Sequence, residues 1–168
     1  MKTLRLCGIL SLAVLFTAAA WVQAYPAQAK ISPLKGLAGV LIKIEADPQL
    51  VKDGLALNLI RTDIEIKLEE AAIEVLTDKA WRGSEGHPQL YVQVKGAKVQ
   101  ENWKFYTFTV NLYLLQDVYL IRDDQTERFQ AATWFNAAAG HGYFGDIRTR
   151  IKELVESFAV EFNAANRP

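Results

Sequence analysis

The residues whose spacing most suggests chemistry are Gly140-His141-Gly142-Tyr143-Phe144-Gly145, a G-x-G-x-x-G run of the kind that lets a backbone approach a pyrophosphate. The run stands between an expected strand and an expected helix, as a dinucleotide site requires. No strand follows that helix to close a βαβ unit, however, and no acidic residue stands where a ribose would be held. Gly140, His141, Gly142 and Gly145 are therefore read as a loop turning tightly into a helix capped by Asp146. An anion resting on that helix N-terminus is the alternative, and Asp146 would oppose it.

Acid–base and nucleophilic chemistry have few candidates. His87 and His141 lie far apart in sequence, each in an expected loop, without the clustered ligands that mark a metal site. Beyond the N-terminal segment the serines are Ser32, Ser84 and Ser157, and none sits in a G-x-S-x-G elbow. The carboxylate pairs Glu69-Glu70 and Asp123-Asp124 read as solvated charge on a helix flank and in a turn. The expectation is no catalytic residue, no metal and no cofactor. A hydrolase-type enzyme using His141 and Asp146 is kept as a third reading.

The N-terminus carries an address. Lys2 and Arg5 precede the uncharged run Leu6 to Val22, which leads into Gln23, Pro26 and Gln28, the form of a cleavable secretory signal rather than a membrane anchor. Cleavage after Ala24 and after Ala29 both fit, the second better, so residues 1–29 are expected to be removed and the mature chain to begin at Lys30. Export, to a periplasm or the extracellular space, follows. Cys7 lies at the start of the apolar run and would leave with it, so the mature domain must hold together by burial without disulfides. No membrane span is expected after cleavage. Against 19 Asp+Glu the mature chain keeps 17 of the 19 Lys+Arg, having lost Lys2 and Arg5, so it has no basic excess and nucleic acid is not an expected partner.

Apolar periodicity supplies the elements that must position any site. Residues 30–36 read as a linker and 37–168 as one globular domain. Gly39 to Glu45 reads as a strand; Leu57, Ile60, Ile64, Leu68 and Ala71 form the stripe of a helix over Leu55 to Ala72; Ile73 to Leu76 reads as a short strand. Thr77 to Pro88 reads as an exposed loop. Strands follow at Leu90 to Lys95, with a bulge expected at Gly96, at Trp103 to Arg122, and from Arg128 to about Phe135. Ile147, Ile151, Leu154, Val155, Phe158 and Phe162 form the stripe of a last helix. The expected fold is α+β: one mainly antiparallel sheet of about five strands in the order β-α-β-β-β-β-α, with two helices packed on one face. This order resembles small α/β modules of bacterial envelope-assembly proteins, a likeness at fold level that carries no function with it.

Two surfaces remain. Leu59 and Ile66 belong to a second apolar line on the first helix, to be covered by the chain itself or by a partner. Tyr91, Phe105, Thr107, Thr109, Asn111 and Tyr113 alternate out from the core, a mixture used both by recognition surfaces and by ordinary solvent-facing sheets. Trp81 and Trp103 are the expected hot spots, and Trp134 is expected in the core. The function expected is a non-catalytic exported domain of the cell envelope that binds a protein partner or itself. The runner-up is a carrier of a small apolar or aromatic ligand between sheet and helices.

Overall fold

The computed structural model describes residues 32–120 and 127–166. The expected signal segment, its cleavage sites and the turn at Asp123 to Thr126 lie outside the described residues. Within them the order is β1 (Gly39–Ala46), α1 (Pro48–Lys52), α2 (Leu57–Glu70), β2 (Glu74–Val75), α3 (Asp78–Gly83), β3 (Gln89–Lys98), β4 (Tyr106–Tyr119), β5 (Arg128–Gly142) and α4 (Phe144–Asn166). The sheet runs β2-β1-β3-β4-β5.

The fold is α+β, but the sheet is mixed rather than mainly antiparallel: β1 pairs in parallel with both β2 and β3, while β3, β4 and β5 pair antiparallel. The reason lies in the connections. The chain leaves β1 through α1 and α2 and returns to β2, then passes through α3 to reach β3; crossovers through helices deliver parallel neighbours, whereas tight turns deliver antiparallel ones. Strand periodicity carries no direction, so the parallel half was invisible to it.

Alternation along the strands sorts the two faces. Val40 and Ile42, Leu90, Val92 and Val94, and Tyr106, Phe108, Val110, Leu112 and Leu114 are buried in one cluster with Ile60, Ile64 and Leu68 of α2 and Ile147, Ile151, Val155, Phe158 and Phe162 of α4. Removing this much apolar surface from water, at about 25 cal/mol per Å², is the main stabilising term in a domain without disulfides. Leu34, in the stretch read as linker, is 1 % exposed and part of the same core, and Asn166 bonds both its carbonyl and the Gly36 N–H.

Polar ties join the two long helices. Arg148 of α4 grips Asp63 of α2 through Nε and Nη2, and Asn163 donates to the Ala71 carbonyl. Along α2 itself, Lys67 reaches Glu70 at 2.8 Å and Arg61 reaches Glu65 at 3.3 Å.

Four local differences have physical causes. The expected loop after Leu76 contains α3, nucleated by Thr77, whose Oγ1 accepts the Ala80 N–H at 3.2 Å. Gly96 marks no bulge: it pairs regularly with Phe108, and a Cβ there would lie 2.9 Å from the Thr107 carbonyl oxygen, so the glycine permits close strand approach. The irregularity falls instead between Leu114 and Leu115, opposite β5. Finally, β5 runs to Gly142, so Gly140, His141 and Gly142 are strand residues opposite Phe108, Thr107 and Tyr106, not a loop. Asp146 lies inside α4, and its Oδ2 reaches back to accept the Tyr143 N–H at 2.7 Å, the acidic half of a capping box.

Candidate functional site

The face opposite the core is where aromatic side chains gather. In register, Lys43 of β1, Tyr91 of β3, Tyr113 of β4 and Phe135 of β5 form one line across four strands. The Tyr91 and Tyr113 rings are stacked with centroids 6.0 Å apart, and Phe135 lies 5.0 Å beyond Tyr113. The Tyr91 hydroxyl donates to the Glu45 carboxylate; burial first, then that bond, pushes its phenol above the usual range. Next to the row, Asn111 donates to Gln93. Phe135 is 54 % exposed, so the row starts at a fixed, hydrogen-bonded tyrosine and ends at a ring open to solvent.

A second aromatic group lies at the far end of the same face. Phe105 sits 5.8 Å from the His141 ring and 5.3 Å from Tyr143, the latter edge-on. The run read as a nucleotide loop thus lends His141 and Tyr143 to this group. His141 and Asp146 also border a cleft of about 420 Å³ between β5 and α4, together with Arg150 and Glu153. The Asp146 carboxylate accepts the Tyr143 N–H, and Arg150 pairs with Glu153 at 2.7 Å.

At the opposite end, Trp81 and His87 are brought together with ring centroids 5.1 Å apart. Gly86 and His87, at φ 71° and 44°, turn the chain so that His87 Nδ1 meets Asp117 Oδ2 at 2.7 Å, while Nε2 faces the Arg82 carbonyl at 3.3 Å. The Asp117 hydrogen bond, then the Arg82 carbonyl, raise the imidazole above its usual range. With acceptors facing both nitrogens, the protonated imidazole is favoured, and His87 clamps the loop to β4. Ser84 donates to the Trp81 carbonyl, which closes α3. Trp81 Nε1 is buried without a partner among the described residues.

The other candidates stay apart. Trp103 is exposed in the turn before β4, stacked on no other ring among the described residues. Leu59 and Ile66 are 44 % and 47 % exposed on α2, while Leu55 and Ile73, which flank the helix, are buried. Phe135 is the residue sequence reasoning missed. Its signal was there, because a core Trp134 on a strand obliges Phe135 to point the other way. Trp134 itself is half-buried against the core, its Nε1 donating to Glu161 and its ring edge-on to Phe158.

Among the described residues no group of three or more His, Cys, Asp or Glu is placed to hold a metal ion, and no helix is long and apolar enough to cross a membrane. No protein-family model matches this chain, and comparison with curated proteins finds no match.

Proposed function

We propose that this is a non-catalytic, exported interaction domain of the cell envelope, whose two long helices back the sheet from within while its open face binds a protein partner. The observation that supports this reading is the row Tyr91, Tyr113 and Phe135 across three strands, Tyr91 stacked on Tyr113 and Phe135 tilted against it, flanked by Lys43, Glu45, Gln93 and Asn111. Aromatic rings held rigid bury large area at little entropic cost, and amide and charged neighbours around them give an apolar centre with a polar rim. Catalysis draws no comparable support, because the histidine with the strongest partners, His87, has both nitrogens committed. A ligand carrier would need room that Phe108, Leu112 and Phe158 occupy with their own side chains.

The test is partner binding by the protein and by Tyr113→Ala. Removing the central ring of the row is expected to weaken binding by about 30-fold or more, the loss of a hot spot of about 2 kcal/mol. Unchanged binding by a folded Tyr113→Ala protein would remove the face from the proposal.

A further inference from the structure

The two edges of the sheet are unequal. One is β2, only 2 residues long; the other is β5, with 15. Natural sheets blunt their edges with short strands, charges, proline or β-bulges, and β5 carries one such irregularity, at Thr133. β2 is short, but β5 has no proline, and Arg128, at its very start, is its one Asp, Glu, Lys or Arg. Three of its residues in succession, Ala137, Ala138 and Ala139, are small enough to let another backbone come close.

Which backbone groups face outward follows from the ladder. The Asp117 N–H bonds to the Gly86 carbonyl, so odd-numbered residues of β4 point toward β3 and even-numbered ones toward β5. In register with them, Trp134, Asn136, Ala138 and Gly140 are bonded to β4, leaving the N–H and C=O of Phe135, Ala137, Ala139 and His141 directed away from the sheet. The Ala137 N–H confirms the phase, since it is held by the Asn136 side chain at 2.8 Å instead of by β4. Beside this edge runs the cleft of about 420 Å³ bordered by Ala139, His141, Asp146, Thr149, Arg150 and Glu153.

We infer that β5 pairs antiparallel with β5 of a second copy, joining two sheets across a two-fold axis. Charge selects this occupant and this direction. Antiparallel pairing carries Arg128 of one copy toward the end of the other where Asp146 and the Arg150–Glu153 pair stand, a local excess of one negative charge, whereas parallel pairing would set Arg128 beside Arg128. Size is sufficient as well: a strand of this length runs roughly 50 Å, and an edge strip about 10 Å deep buries about 500 Å² per copy, or about 1,000 Å² in all, the lower bound of a specific interface. Phe129 and Phe135, both exposed along the same strand, add to it. The irregularity opposite Leu114 and Leu115 interrupts the edge at one point without removing it. Two Phe135 rings then extend the aromatic rows toward each other.

The inference is independent of what the open face binds, and the test separates the two. The protein expressed from the full sequence is weighed in solution, alongside Ala139→Pro and Ala139→Lys, which obstruct the outward edge without removing a bond to β4. The expected result is a dimer whose mass halves in both variants, at unchanged helix and strand content, while Tyr113→Ala remains dimeric. In the dimer the His141 amide exchanges slowly with solvent, and in Ala139→Lys rapidly. A wild-type protein that is monomeric at its highest attainable concentration, or a dimer that persists in a folded Ala139→Lys with a fast-exchanging His141 amide, would overturn it.

Discussion

Arg148 and Asp63, 85 positions apart in the chain, meet through two parallel hydrogen bonds of 2.7 and 3.0 Å, fork to fork, where α4 crosses α2. The Asp63 carboxylate is the first cause that holds the Arg148 guanidinium above its already high range. Asp63 is the more buried partner, with 14 % of its side chain exposed against 34 % for Arg148. Asp63→Ala is therefore expected to cost about 1 kcal/mol in denaturant unfolding, screened because Arg148 retains water access. A double-mutant cycle with Arg148→Ala should return a coupling of at least about 0.5 kcal/mol; additive losses would mean that the pair is ornamental.

Stability should fall as pH rises through the titration of His87. Its folded pKa lies above the usual 6.5, raised by the Asp117 bond first, then by the Arg82 carbonyl, against desolvation and the nearby Arg128 charge. A raised folded pKa means that the folded state holds the proton more tightly than the unfolded one. The clamp's contribution is thus fully present below about pH 6.5 and lost as pH climbs through the folded value. Melting curves of the wild type should show this decline and those of His87→Gln should lack it. Parallel curves for the two proteins would refute the clamp.

Phe158 is fully buried between Trp134 and Phe162, with ring centroids 5.2 and 5.9 Å away. Phe158→Ala should cost about 3–5 kcal/mol, a large share of what a domain of this size commands. A loss below about 1 kcal/mol would mean that the core between α4 and the sheet is not the main support.

Export has its own test. Expressed in a bacterium with two membranes, the chain is expected in the periplasm with Lys30 at its N-terminus, read by intact mass. Retention of Met1 on the accumulated protein would contradict it.

How far residues alone reveal such a domain depends on whether a feature is local. The face pattern of β4, with Tyr106 to Leu114 inward and Thr107 to Tyr113 outward, is a period of two and was legible, as were the stripes of both long helices. The last seven residues of β5, Asn136 to Gly142, contain no Val, Ile, Thr, Phe, Tyr or Trp; pairing with β4 makes them a strand against their own propensity. That one extension moved His141 from a loop to an edge and put Phe135 inside a strand. The parallel pairing of β1 and the His87–Asp117 contact depend on which distant segments meet, which no local spacing encodes.

The central claim, that the open face binds a protein, is tested most directly by the size and mass of the protein purified mildly from its native envelope beside the same chain made alone. The account predicts a second protein species in the native material only, lost when Tyr113→Ala and Phe135→Ala are introduced together in the native host. A dimer of this chain belongs to β5 and would appear in both preparations. Native material of the same mass as the chain made alone, with no second species, would contradict the claim.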